Sequence, residues 1–404
     1  MDDMSGWAGM DEEARKEFWA SLALRHSKWL GARSRARLLK KFGSSFQALQ
    51  HKRSWVQAGL SQRQIKAVED ESWRTTAQEE WNRAQKLDCG ILLWTSNFYP
   101  ERLRELQDAP VFLYCLGDVS LLRSPVVAIV GSRHATRHGC DVAAYMSSRL
   151  AACGIAVVSG MAQGIDAAVH ESALRQTGKS IGVLGTGIDK VYPGANEALF
   201  ALMRKHGLLL SEFPPGASPL AAHFPIRNRI ISGLALGVLV VEAASRSGSL
   251  ITARLALEQN RDVFAVPGPA LSAHCIGCQD LVRQGARAVF SAEDILRDLA
   301  DQLRGYGVSA EVFGPEKPKS EDKHTAKGVR KKEALVPEAA SPVNAPELSA
   351  SRQLVECLRR NGDMQADALA VALNITAACL STTLVSLELA GQIKRLPGAR
   401  YRAL

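Results

Sequence analysis

Between residues 123 and 300 the chain alternates short, continuous apolar runs with stretches of helical periodicity. The runs are Val126–Val130, Ile155–Ser159, Ser180–Leu184, Gly207–Leu210, Val238–Val241 and Val263–Val266. Their length and β-branched character predict strands covered on both faces, as in a parallel sheet. Between them, Ala143, Ala144, Met146 and Leu150 recur at helical spacing and predict a helix over 137–153. Further helices are expected over 165–176, 197–206, 228–236 and 250–258. Six strands separated by helices predict an α/β fold, an extended Rossmann-like, doubly wound parallel sheet with right-handed crossovers. Such a sheet binds its ligands at the carboxyl ends of the strands.

The flanks read differently. Glu12 to Arg25 carries Phe18, Leu22 and Leu24 on or near one face, and shorter amphipathic pieces follow at 34–42, 44–49 and 61–68, the last with Ser61 as N-cap. Residues 1–88 are therefore expected to be a small helical (SAM-like) domain. The core is placed at 89–304, entered by two strands at 91–94 and 110–114. Periodicity is lost over 305–349. Five prolines punctuate that stretch, and seven Lys or Arg and four Asp or Glu lie between Glu316 and Val336, which predicts a disordered tether. Residues 350–404 resume with three helical patterns (351–360, 365–373, 376–390) and a hairpin around Pro397-Gly398, the pattern of a winged helix. Its third helix offers Ser381, Thr382, Thr383 and Ser386 rather than base-reading side chains, which argues against sequence-specific duplex reading. Lys394, Arg395, Arg400 and Arg402 on the wing are candidate phosphate contacts.

Composition narrows the setting. The 404 residues carry a net charge of +9, which favours a polyanionic partner. The eight cysteines are scattered, mostly within apolar patterns, and fit a reducing cytoplasm rather than a disulfide framework. No apolar run reaches the roughly 18 residues of a membrane span, and the acidic start of the chain is not a secretory signal.

The expected strand ends carry glycine and small hydroxyl residues: Gly131-Ser132-Arg133, Ser159-Gly160 through Gly164-Ile165-Asp166, Gly185-Thr186-Gly187 and Ser211-Glu212. Bare backbone there can approach a phosphate closely, and a helix start after Gly131, with Arg133, His134 and Arg137 nearby, predicts an anion site. The first turn lacks G-x-G-x-x-G, and no G-x-x-x-x-G-K-[ST] occurs, so dinucleotide and P-loop readings fail. His274 with Cys275-x-x-Cys278 supplies half of a zinc site without a second pair. Asp166, Glu212 and Glu242 are strand-end carboxylates available for catalysis, weighed against helix capping or arginine pairing. No G-x-S-x-G surrounds Ser159 or Ser211. Phe224-Pro225-Ile226-Arg227-Asn228-Arg229 places two arginines near a helix start, against its dipole. An aromatic beside arginines suits single-stranded nucleic acid, through stacking and phosphate contacts. One of these arginines could instead pair with Glu212 or Glu242.

Five strings, 127–133, 158–166, 211–216, 224–231 and 247–253, resemble in wording, order and spacing the DNA-processing DprA (Smf) family over nearly the whole chain. The resemblance implies a Rossmann core that often has a helical domain before it and a winged helix after it. It implies a non-catalytic protein without cofactor or metal that binds single-stranded DNA cooperatively, forms homodimers and loads the recombinase RecA during natural transformation. It implies Arg133, Phe224, Arg227 and Arg229 in the strand pocket. The candidate contacts are thus Gly131, Ser132, Arg133, Ser159, Gly160, Gly164, Phe224, Arg227, Asn228, Arg229, Ser247, Gly248 and Thr252, with Arg133 and Arg227 expected to be replaceable without loss of fold. Gln163 and Asn97 depart from the family's usual Arg and Asp. The related nucleotide phosphoribohydrolases carry a Pro-Gly-Gly-x-Gly-Thr turn where this chain reads Ser245-Arg246-Ser247-Gly248-Ser249. A nucleotide-hydrolysing enzyme on the same core, and a transcription regulator acting through the winged helix, are the competing readings.

Overall fold

The computed structural model describes residues 9–87, 89–308, 354–360, 362–373, 380, 383–384, 387–388, 392–396 and 400–403. They fall into two units, Met1–Pro318 and Lys319–Leu404.

The first unit begins with helices α1 (Glu12–His26), α2 (Ala32–Phe42), α3 (Ser45–Gln50), α4 (Gln62–Glu69) and α5 (Arg74–Lys86). Local chemistry sets their ends. Asp11 accepts from the Ala14 N–H at 2.7 Å, Ser61 and Gln64 form a capping box, and Gly43 closes α2 at φ 79°. Leu24, Leu38, Trp55 and Ile65 pack into one small core. The other face of α1 turns to the sheet, where Phe18 meets Phe112 edge-on at 5.1 Å. Helix α5 was not anticipated. Its Glu80 is buried and accepts from the Tyr114 hydroxyl at 2.8 Å, with Arg25 at 3.1 Å and His26 at 2.6 Å. This cluster ties the helices to the sheet.

Among the described residues the sheet has nine strands: β1 (Gly90–Leu93), β2 (Phe112–Gly117), β3 (Val126–Val130), β4 (Ala156–Ser159), β5 (Ser180–Gly187), β6 (Leu208–Phe213), β7 (Gly237–Val240), β8 (Asp262–Ala265) and β9 (Arg287–Ala288). Their order is β1-β2-β6-β5-β4-β3-β7-β8-β9. From β6 to β9 neighbouring strands are parallel, and β1 and β2 are antiparallel additions. The short helix α6 (Glu101–Arg104) links those two. The crossovers are α7 (Arg137–Ala152), α8 (Ile165–Gln176), α9 (Glu197–His206), α10 (His223–Leu234), α11 (Ser249–Glu258) and α12 (Ile276–Arg283). In β3, Val126, Ala128 and Val130 belong to one hydrophobic cluster and Val127 and Ile129 to another. The strand is covered on both faces, as its unbroken apolar run predicts. Successive strands run outward from β3 to β6, and the chain then returns to lay β7 on the other side of β3. That reversal makes the carboxyl ends of β3 and β7 the switch point where such sheets take their ligands.

Helix α10 starts five residues before the expected 228. Pro225 lies in its first turn, where backbone N–H groups have no intrahelical partner, so the missing donor costs nothing.

In the second unit residues 354–360 and Ala366–Leu373 are helical, as are 380, 383–384 and 387–388. Strands β10 (Met364–Gln365), β11 (Ile393–Leu396) and β12 (Arg400–Ala403) form a sheet in the order β10-β12-β11. Leu354, Leu358, Leu369, Leu384 and Ile393 are among its core residues. Strand β10, which falls where a helix start was expected, makes this a three-stranded sheet rather than a bare hairpin. Arg402 is held by Asp363 through two hydrogen bonds of 2.6 Å, so its charge is already partnered. The tether expected at 305–349 lies outside the described residues from 309 onward, as do Ser381, Thr382, Ser386 and the Pro397-Gly398 turn. No helix among the described residues is long and apolar enough to cross a membrane.

Candidate nucleic-acid interface

Loops after β3, β4, β5, β6 and β7 meet at the switch point. The first leaves β3 at Gly131. There is no room for a side chain here, because a Cβ would stand 2.6 Å from Ile165 Cγ1 and 3.0 Å from the Glu242 carbonyl oxygen. The second loop reaches α8 through Gly164, at φ 76°, where a Cβ would come within 2.4 Å of the Ser132 carbonyl oxygen. The Ile165 N–H donates to that same oxygen at 3.2 Å. The two glycines therefore let the turns interlock, and Ser132 Oγ braces the first by accepting from the His134 N–H at 3.1 Å.

The anion at the start of α7 is the protein's own. Glu242, at the end of β7, accepts from the Thr136 N–H at 2.9 Å and from its hydroxyl at 2.6 Å. Gly139 makes way, since a Cβ there would be 2.3 Å from the Glu242 carboxyl carbon. The expectation of an external anion on this helix terminus is corrected: Glu242 fills the place. The N–H groups after β4 are also committed. Asp166 accepts from Gly160 at 3.0 Å and Ala162 at 3.3 Å, while Met161, at φ 56°, donates to His170 Nε2 at 3.4 Å. Burial holds the Asp166 carboxyl above its ordinary range, against the pull of Arg227, and pushes His170 down to about 3. Of the three strand-end carboxylates, Asp166 and Glu242 thus cap backbone and Glu212 pairs with an arginine, the alternatives weighed against catalysis.

The sequence-singled residues separate by where they stand. Gly131, Ser132, Arg133, Phe224, Arg227, Asn228, Ser247, Gly248 and Thr252 line one open cleft of about 770 Å³, and Gly160 lines an adjoining one of about 220 Å³. Ser159 is fully buried, donating to the Ile129 carbonyl at 2.6 Å, and Gly164 serves the turn. Arg227 is 4% exposed. Its Nη1 donates to the Gly160 carbonyl at 2.5 Å and also to that of Val183, and burial lowers its pKa to about 10. It forms the floor of the cleft, and an alanine there would undercut the fold, contrary to the expectation of a replaceable contact. Arg229 is not in the cleft. Its Nη2 binds both oxygens of Glu212 at 2.6 and 2.7 Å, and Asp108 stands 3.5 Å from Nε. Two residues along a helix turn about 200°, so Arg227 and Arg229 face different sides of α10.

Phe224 sits half-buried over Gly185, where a Cβ would be 2.8 Å from the ring. The exposed Arg133 guanidinium lies 5.0 Å from the centre of that ring, and Tyr192 lies 5.6 Å from it. Asn228 Nδ2 reaches the Gly248 carbonyl at 3.5 Å, linking α10 to the start of α11, whose N-terminus has no side-chain cap. Arg246 and His134 add exposed basic side chains. Asp166 is the single carboxylate lining the larger cleft among the described residues, and it is turned to backbone. Tyr192 and Arg246 were missed as site residues. A tyrosine directly before proline soon after a strand end was the available signal for the first. No group of three His, Cys, Asp or Glu among the described residues could hold a metal ion.

Comparison with known proteins gives the context. Residues 90–300 match the family described as DNA recombination-mediator protein A, and residues 337–399 match the DprA winged helix domain. The DNA processing protein DprA of Streptococcus pneumoniae is 47% identical over 200 residues, covering 50% of this chain and 71% of that one. Its Bacillus subtilis counterpart is 44% identical over 209 residues, covering 52% and 70%. The X-ray structure of the Streptococcus pneumoniae protein superposes with a TM-score of 0.60 at 36% identity, over 68% of this chain and 95% of that one. A Rossmann-like core with its switch-point cleft, followed by a winged helix and matched at this identity over this length, places the chain in the DprA (Smf) family of DNA-processing proteins.

Proposed function

We propose that this chain is a non-catalytic, cytoplasmic protein that binds single-stranded DNA in the switch-point cleft, protects it, and loads RecA on it during natural transformation. The observation that carries the reading is the exposed Arg133 guanidinium set over the half-buried Phe224 ring, with Tyr192 beside it. Cation and aromatic faces side by side suit a polymer that alternates phosphate and unstacked base. A phosphate fits above Ser132-Arg133 and toward Arg246, and bases fit against Phe224 and Tyr192. Glu242 and Asp166 are engaged by backbone, which favours binding over hydrolysis, and nucleoside monophosphates incubated with the chain are expected to release no free base. The family's DNA-processing role supports the partner.

The same reading includes a homodimer. Strand β9 is an edge of the sheet, Phe290 just after it is 78% exposed, and Leu271, in the loop between β8 and α12, is fully exposed. The test is a gel shift with matched single- and double-stranded oligonucleotides, followed by RecA ATP hydrolysis on a strand already covered by a competing single-strand-binding protein. Preferential retention of the single strand and faster RecA activity with the chain present are expected. Preference for duplex, or no effect on RecA, would overturn the corresponding half of the reading.

A further inference from the structure

A second cleft, of about 510 Å³, lies between α1 and α2 of the helical module and β6 and α10 of the sheet unit. Three guanidinium groups line it: Arg25, Arg35 and Arg229. Two carboxylates, Glu212 and Asp108, line it with them, and both are taken up by Arg229. Arg25 is held by Glu80 at 3.1 Å and by the Glu212 carbonyl. Among the described residues Arg35 makes no salt bridge. Its one hydrogen bond runs from Nη1 to the Arg25 carbonyl at 3.1 Å, and its Nε is buried without a partner. Nη1 of Arg229, a residue 5% exposed, is buried without a partner as well. Counting Glu80, which holds Arg25 from outside the lining, the described residues supply three carboxylates for three guanidinium groups, but Arg229 engages two of them and Arg35 is left without one of its own.

A half-buried guanidinium without a carboxylate of its own is costly, and an unmet buried donor adds to the cost. An anion in the cleft supplies the counter-charge that Arg35 lacks. The tetrahedral oxygens of a phosphate match the arginine fork better than a spherical ion does. Burial lowers the Arg35 pKa to about 10, against the pull of Glu212 and Glu80 and with the push of Arg25 and Arg229, so the group is still a cation at neutral pH. Pro225, in the first turn of α10, walls both this cleft and the switch-point cleft.

We propose that the cleft between the helical module and the sheet is a phosphate-binding site centred on Arg35, its phosphate carried by a free mononucleotide or by a strand passing over Pro225 from the first cleft. With a free ligand the site does not depend on the single-strand reading, because its geometry is separate from Arg133 and Phe224; with a strand ligand it rests on that reading. Full-length protein is titrated with inorganic phosphate, with dTMP, and with dT oligomers of about 6 and 20 nucleotides. The parent is compared with Arg35→Gln, Arg35→Lys and Arg133→Ala, each checked by thermal melting.

With a free ligand, phosphate or dTMP saturates one site per chain. Arg35→Gln weakens it at least 10-fold, Arg35→Lys less, and Arg133→Ala leaves it unchanged. With a strand ligand, the mononucleotide is weak, and Arg35→Gln weakens the 20-mer at least 5-fold more than the 6-mer. If Arg35→Gln fails to fold, the comparison is made with Arg35→Lys, which keeps the charge and loses the fork. The proposal is overturned if no probe's binding responds to Arg35, or if phosphate binding is lost in Arg133→Ala and kept in Arg35→Gln. Loss of oligomer binding in every protein together with Arg35-dependent phosphate binding would sink the single-strand reading and leave this site standing.

Discussion

Arg133 and Arg227 both approach the Phe224 ring, at 5.0 and 5.9 Å, yet they have opposite roles. Arg133 is exposed and free to meet a ligand, whereas Arg227 is spent on the Gly160 and Val183 carbonyls. Phe224→Ala removes an aromatic platform, and stacking is worth about 1–3 kcal/mol per base, so single-strand affinity is expected to fall roughly 5- to 150-fold. Fluorescence anisotropy with a labelled dT oligomer reads this, with a thermal melt as control. Arg227→Ala leaves Asp166 buried without its compensating cation, and a loss of about 3–5 kcal/mol in urea unfolding is expected. His170 gives a pH signature. Its folded pKa of about 3 lies below the ordinary 6.5 because it is buried, so the unfolded chain binds the proton more readily. Its stabilisation is complete above about pH 6.5 and is lost as the pH falls toward 3. Going from pH 7.5 to 5.5 is expected to cost about 1.4 kcal/mol. His170→Asn should flatten that dependence, and an unchanged slope would contradict a neutral, buried His170.

Helix α10 is the element that separates the two clefts, and it shows why some of the site was legible and some was not. Its cationic first turns oppose the helix dipole, which is visible in sequence, and each arginine is indeed offset elsewhere. That the two offsets lie on different sides follows from the 200° between positions 227 and 229, but Pro225 hid the true helix start and with it the facing. Glu212→Gln tests the Arg229 side: with only Asp108 left at 3.5 Å, a loss of about 2–4 kcal/mol and an unfolding midpoint shift are expected, with single-strand binding by the folded fraction retained. Strands β3 to β8 were legible because each is an apolar run covered on both faces. Strand β9 was not, having two exposed residues and no pattern to read. Helix α5 was also missed, because its buried face is little more than Ala77, Glu80 and Ala84 in a polar sequence. The Glu242 clamp on α7 joins residues 106 positions apart, and no local motif announces it.

Across the whole chain, the net charge of +9 gives the long-range attraction and the cleft gives it a place to act. Among the described residues, Asp166, engaged by backbone, is the single carboxylate that lines the cleft with Arg133 and Arg246, so binding should be salt-dependent and localised. The most direct measurement of the single-strand claim is the affinity of full-length protein for a labelled dT oligomer and for the matched duplex over a series of KCl concentrations, repeated with Arg133→Ala. The account predicts tighter binding of the single strand at every salt concentration. It also predicts a slope of log affinity against log salt that is shallower by about 0.7 when Arg133 is removed, the loss of one phosphate contact on a single strand. Tighter binding of the duplex, or an Arg133→Ala protein with the parent's affinity and slope, would contradict it.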